Sequence, residues 1–191
     1  MDTKKNSGRT FRFIILIPHR DALKLFNEYR DKLFSQGFYG AYSFPLAAPL
    51  AAVSMPFSLN ELKELGRNIR NLAKDDGGKI LGSHTEIAFY GREFVFLGPL
   101  LNLPTKESIF PKTAKEKIIT PLAPPVLCVS LFGPDEKPVS GESPALSFRA
   151  ASLANLAICP LDCGVPAYSF KWKIGPQIWL PRNYEHSSLK S

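Results

Sequence analysis

The first apolar stretch, Phe11 to Ile17, is rich in phenylalanine and isoleucine and is stopped by Pro18, which predicts a buried central strand. Asp21 is suited to cap a helix over about Ala22 to Ser35. Within it Leu23, Phe26, Tyr29, Leu33 and Phe34 recur at spacings of three and four and make one apolar face, with Gly37 as the C-cap. An aromatic loop over residues 38 to 47 leads into a second strand, Leu50 to Met55. Ser58 then opens a second helix, with Glu61 completing a capping box and Leu59, Leu62, Leu65, Ile69 and Leu72 on one side. Asp76-Gly77-Gly78 ends that helix. The first half therefore reads β-α-β-α.

The pattern changes after it. Ile80 to Phe89 and Glu93 to Leu97 flank a turn at Tyr90-Gly91-Arg92 and predict a hairpin closed by Gly98-Pro99. A further strand is expected over Val126 to Phe132, and paired strands over Leu146 to Cys159 and Tyr168 to Leu180. Seventeen prolines, most of them between Pro99 and Pro181, favour short strands and rigid loops there, with at most a short helix near Thr113 to Ile119. At 191 residues the chain can build one substantial core. The division expected is a flexible N-terminus over 1 to 10, a single domain over 11 to 182 and a flexible C-terminus over 183 to 191.

Two of the expected strands spell nearly the same thing. Pro49-Leu50-Ala51-Ala52-Val53-Ser54-Met55 and Pro125-Val126-Leu127-Cys128-Val129-Ser130-Leu131 each begin with proline and reach a Val-Ser pair, which suggests two similar lobes. Together with the opening strand and helix and the closing strands around Tyr168 to Leu180, these segments resemble the 2H phosphoesterase superfamily, the fold of 2'-5' RNA ligase-like proteins and cyclic phosphodiesterases. The resemblance implies an α+β fold of two pseudo-symmetric lobes of mostly antiparallel sheet. Helices cover their outer faces, and the lobes face each other across a central cleft. In that family each lobe supplies a strand carrying His-x-Thr/Ser.

Aligned on the prolines, the family histidines fall at Leu50 and Val126 and the hydroxyl positions at Ala52 and Cys128. The family mechanism needs one imidazole to take a proton and another to give one, while the hydroxyls bind phosphate. Leucine and valine can do neither. The resemblance thus implies a degenerate protein with no catalytic residue of this type. Its cleft would bind a small ligand, nucleotide-like or phosphorylated, or a partner. Strand alternation puts Leu50, Ala52 and Ser54 on one face and Val126, Cys128 and Ser130 on the other repeat's matching face. Those faces read either as plain core or as the floor of an apolar pocket.

Other chemistry is sparse. His19, in Pro18-His19-Arg20-Asp21 at the strand-to-helix turn, is placed where an anion would be favoured. With Tyr42, Arg149 and Tyr168 it completes the candidate ligand-binding residues. An active enzyme using such groups on a phosphorylated substrate is the alternative reading. His84 precedes Thr85-Glu86 and so only mimics a motif fragment. No phosphate-cradling loop, nucleophile elbow, dinucleotide fingerprint or metal-ligand spacing is present, so no cofactor or metal is expected.

A net charge of +7 permits an anionic partner, although the densest cluster, Lys112, Lys115 and Lys117, is interrupted by Glu116. Arg149, Lys171, Lys173 and Arg182 mix with aromatic residues near the closing strands, which makes RNA a further candidate partner. Alternation opposes that reading, since Lys171 and Lys173 share one face and Trp172 and Ile174 the other. Cys128, Cys159 and Cys163 read as reduced thiols, with a Cys159–Cys163 pair the alternative. A polar N-terminus and the short first apolar run favour the cytoplasm and exclude a membrane span.

Overall fold

The opening strand is the element around which the others are arranged. In the computed structural model, residues 9–18, 20–35, 37, 40, 44–75, 81–90, 94–101, 103, 107–121, 126–128, 130–132, 156–165 and 171–180 are described. β1 (Arg9–Pro18) pairs antiparallel along its whole length with β7 (Leu156–Val165), and on its other edge with β2 (Ala48–Val53). Its Phe13, Ile14, Ile15 and Leu16 are all fully buried, so both faces of the strand are covered. An uninterrupted apolar run is what such a position requires. The full sheet runs β5-β2-β1-β7-β8, with β9 (Ile178–Trp179) also on β7; β5 is Ile118–Pro121 and β8 is Lys171–Ile174.

α1 (Arg20–Ser35) and α2 (Leu59–Asp75) cover one face. Phe26 and Leu33 from α1 and Leu62, Leu65 and Ile69 from α2 join Ile14 and Leu16 in a single buried cluster. Phe13 and Ile15 lie on the opposite face, outside that cluster, where the Phe13 ring meets Phe44 edge-on at 6.4 Å. α1 starts at Arg20, so Asp21 lies inside it rather than capping it. Gly37 ends it as expected: its φ of 93° suits a residue without Cβ, and its N–H bonds to the Phe34 carbonyl at 3.0 Å. The capping box of α2 is also formed. The Ser58 N–H donates to Glu61 Oε2 at 2.6 Å, and the Glu61 N–H donates to Ser58 Oγ at 3.3 Å.

The second sheet has the order β3-β4-β6, from β3 (Leu81–Tyr90), β4 (Phe94–Leu101) and β6 (Ser130–Phe132). β3 and β4 form the expected hairpin, but β4 continues through Gly98-Pro99 instead of stopping there. Pro99 is tolerated because β6 pairs only with Val95 to Leu97 and takes no bond at that height. Leu101 and Leu103 then enter the core under the helices. The chain is thus α+β, with mixed helix and antiparallel sheet. Among the described residues no helix is long and apolar enough to cross a membrane.

The last strands differ most from expectation. The strand expected over Leu146 to Cys159 begins only at Leu156 and runs on to Val165, through Pro160-Leu161-Asp162-Cys163-Gly164; residues 146–155 lie outside the described part. Pro160 sits where the partner edge changes, between the pairs Leu161↔Ile174 of β8 and Ile158↔Ile178 of β9. No ladder bond from its nitrogen is needed there. Its carbonyl accepts the Gly175 N–H at 2.8 Å, and its ring fills the space a side chain at 175 would need: a Cβ there would lie 2.5 Å from Pro160 Cγ. The proline and the glycine form a matched pair.

Gly175→Ala should therefore destabilise the protein by about 1–3 kcal/mol, the usual cost of forcing a methyl into a rigid contact. Thermal unfolding of the single variant and of Gly175→Ala with Pro160→Ala checks the cause, because removing the ring should recover most of the loss.

Candidate functional site

The two repeats meet in space, but not as two facing motifs. β1 advances one residue, from Ile14 to Ile15, while its partner goes from Ala51 to Pro49, so Leu50 is the extra residue of a β-bulge. Leu50 consequently joins Ala51 in the core beneath the helices. Ala52 pairs with Phe13 on the opposite face. The expected alternation of Leu50, Ala52 and Ser54 on one face therefore fails, because a bulge resets the parity of a strand.

The second repeat divides. Cys128 forms an antiparallel bridge with Ala47, its N–H bonding to the Ala47 carbonyl at 2.8 Å, so this part continues along the edge of the first sheet. Ser130 is already in β6 of the second sheet, opposite Leu97. Leu127 belongs to the core beneath the helices, while Val126 and Cys128 lie outside that cluster. All three are buried. Leu50 and Cys128 are fully inaccessible, and Ala52 and Val126 are nearly so. The four positions that correspond to the family's histidines and hydroxyls, Leu50, Ala52, Val126 and Cys128, are packed interior.

Burial pushes the Cys128 thiol up to about 12, with the nearby Arg30 opposing the rise. A thiol held so far above neutral pH is a small hydrophobe. Arg30, itself buried on α1, donates from Nη2 to the Phe44 carbonyl beside the entry to β2. Cys159 and Cys163 lie four residues apart on one extended strand, opposite Ile15 and Phe11. At roughly 3.3 Å per residue their Cα atoms are too distant for a disulfide, so the alternative pairing is excluded.

Ser54 alone of the motif-equivalent residues described in β2 and its exit is exposed, and it is engaged by backbone. Its N–H and Oγ reach the Lys117 carbonyl at 2.7 and 3.2 Å, and its own carbonyl accepts from Arg12 at 3.4 Å. Lys117 turns back to Glu61: Nζ lies 2.8 Å from Oε2, 3.3 Å from the Pro56 carbonyl and 6.0 Å from the centre of the Phe57 ring. Lys112, Lys115 and Lys117 stand on the 3-10 segment Lys112–Lys117, where the first two are exposed. The lysine nearest the repeat is thus committed to an internal ion pair.

A shallow recess of about 270 Å³ lies between α2 and the 3-10 turn Glu107–Ile109, lined by Asn68, Asn71, Leu72, Ser108 and Ile109. Asn68 holds its rim by donating to the Ile109 carbonyl at 2.8 Å. None of the motif-equivalent residues lines it. His19, Tyr42, Arg149 and Tyr168 lie outside the described residues, and His84 is in β3. Among the described residues no group of His, Cys, Asp and Glu is placed to hold a metal ion. No family model, curated protein or solved structure matches this chain.

Lys171, Trp172 and Lys173 stood out in the sequence, but their alignment with Phe11 and Arg12 of the opening strand did not. β1, β7 and β8 align Phe11 with Cys163 and Trp172, and Arg12 with Asp162 and Lys173. The segments are too far apart in sequence for any local pattern to connect them.

Two outcomes follow for the polar cluster and the thiol. Burial alone would raise the Glu61 carboxyl, but the hydrogen bonds from Lys117 and Ser58 outweigh it and hold it below its ordinary value of 4.5. A depressed carboxyl stabilises the fold above its unfolded value, so this contribution should be complete at neutral pH. It should fade as pH falls below 4.5 and through the lower folded value. Glu61→Gln should cost about 1.5–3 kcal/mol at pH 7, the range for a charge-assisted bond, and the difference from wild type should shrink in acid when urea unfolding is followed against pH. Cys128 should resist alkylation in the native protein at pH 8 and label only on unfolding, as site-resolved mass spectrometry would record.

Proposed function

We propose that this chain is a binding protein of 2H phosphoesterase type that lacks phosphoesterase chemistry. Its two sheet-bearing parts would be pseudo-symmetric lobes, and the ligand would be a small nucleotide-like or phosphorylated molecule, or a partner, held between them. The α+β composition, the antiparallel sheets, and the helices packed on one face of the larger sheet support the lobed reading.

The observation that carries the functional half is the fate of the motif positions. A proton relay needs two imidazoles exposed to substrate, on groups that change charge during the reaction. Here one position is a leucine used as a bulge residue inside the core, and the other is a buried valine two residues before a fully buried cysteine. The loss is more than a change of side chain, because the backbone has turned Leu50 toward the helices. Restoring the side chains alone would not restore the geometry.

Wild-type protein should leave 2',3'-cyclic nucleotides intact, and Leu50→His with Val126→His should gain no turnover. Leu50→His alone should cost about 3 kcal/mol or more, since it places a polar ring where a branched aliphatic side chain is enclosed. Hydrolysis by the wild type, or a double variant that keeps wild-type stability and turns over substrate, would overturn the reading.

A further inference from the structure

The two helices on the larger sheet carry charge differently. On α1 the exposed Lys24 and Glu28 stand one turn apart with Nζ 4.0 Å from Oε1, and the exposed Asp31 and Lys32 follow, so its outer side is balanced. α2 is not. Lys63, Arg67 and Arg70 recur at spacings of four and three, which places them on one side of the helix, turned away from the buried Leu62, Leu65 and Ile69. Glu61 and Glu64 take the other flank with Asn68, where Glu61 holds Lys117 and Asn68 holds the Ile109 carbonyl. The outer side of α2 over these turns is therefore of one sign.

Lys63 and Arg67 are exposed, and Arg70 is half buried with its Nε 3.4 Å from the Gly66 carbonyl. Among the described residues none of the three enters an ion pair, although Glu64 is only three residues from Arg67. Like charges at these spacings repel, so the helix carries them at a loss to its own stability. Strand parity puts further charge on the same side of the sheet. Arg12 shares the parity of Ile14, which packs with the helices, and the register of Arg12, Asp162 and Lys173 carries that parity across β7 to β8. Asp162 is paired with Arg12, and Lys173 is exposed beside them.

We infer that the outer side of α2 lies along the phosphate backbone of a double-stranded nucleic acid, with Lys63, Arg67 and Arg70 as its phosphate contacts. What accompanies the charge decides among anionic partners. A protein partner needs an apolar centre to its interface, and an anionic membrane needs apolar side chains to enter it. From Lys63 to Arg70 the positions open to solvent are polar or charged, and Leu59 in the first turn is the exposed large hydrophobic residue of α2. The helix has no aromatic residue on which an unpaired base could stack. A duplex asks for neither, since its outside offers one negative charge per about 1.7 Å of axis, and proteins meet it with polar, positive surfaces. The net charge of +7 attracts such a polyanion from a distance. The site lies apart from the buried motif positions, so it holds or fails separately from the ligand proposed between the lobes.

Fluorescence anisotropy of the full chain with short labelled RNA and DNA duplexes, at several salt concentrations, tests the site. Three phosphate contacts imply that affinity falls about 40-fold between roughly 50 and 200 mM salt. Lys63→Gln and Arg67→Gln should each weaken binding and lower the salt slope by about one. Lys24→Gln, which removes the same charge from the balanced helix, should bind like wild type. Neither α2 variant should melt earlier than wild type, because glutamine keeps the helix and a repulsion is removed. A preference for RNA or for DNA would identify the natural duplex and support the site in either case. Absence of binding to both duplexes would overturn it, as would tighter binding to the unpaired strands, a loss on Lys24→Gln equal to that on Arg67→Gln, or a lowered Tm showing that the α2 charges are compensated in the free protein. Binding to phosphatidylserine vesicles in place of the duplexes would overturn it too.

Discussion

β1 is bonded along both edges and buried on both faces, and most of the architecture answers to that constraint. A strand so placed needs a neighbour of equal length on at least one side, and β7 pairs with it residue for residue from Arg9 to Pro18. Its two faces need separate cover. The helices supply one cover through Phe26, Leu33, Leu62, Leu65 and Ile69, while on the opposite face Phe13, Ile15, Ala52 and Cys128 are enclosed with Phe44. Burial of this extent is what stabilises a domain of this size, at roughly 25 cal/mol per Å² of apolar surface.

The same constraint explains why the proline-led repeats do not make a site. β2 must follow β1 and also hand its outer edge to β5, and it accommodates both by register shifts at Leu50 and between Ala52 and Val53. Each shift changes which face a side chain takes. A strand whose parity is broken twice cannot hold three alternating residues toward one ligand. Cys128 then bridges to Ala47, the residue just before that strand, so the second repeat extends the first sheet before the chain crosses to the second. The polar groups near the exit of β2 serve the fold in turn, since Lys117, Glu61 and Ser58 tie β5 to the start of α2.

Local elements were legible where one physical rule governed them. Phe11 to Ile17, the helix ending at Gly37, and the capping box of Ser58 and Glu61 each follow from contacts a few residues apart. Legibility failed where a distant neighbour decided the outcome. Pro160, Asp162 and Gly164 fall beyond the strand expected to end at Cys159, yet they form part of an interior strand because β8 and β9 meet at the proline and Gly175 leaves room for its ring. Leu50 and Ala52 looked like one face because a bulge leaves no mark in a run of small apolar residues. The charge pattern misled in a similar way: the cluster at Lys112, Lys115 and Lys117 is close in sequence, whereas Arg12 and Lys173 become neighbours only through β7.

Burial and exposure are therefore graded along one strand. From Phe13 to Leu16, β1 is sealed on both faces, and a charged ligand or a titrating side chain there would bear the full cost of desolvation. Arg12, immediately before Phe13, is exposed, and Phe11 before it is half buried. A cleft centred on the repeats would need the sealed part of the sheet to open, at the expense of the contacts that define the core. The end of the sheet at β8 differs, because that strand is short and its Trp172 and Lys173 are exposed. The bulged, apolar centre thus acts as the scaffold that holds the strand ends in register, and it is at those ends that β1 and β8 meet solvent.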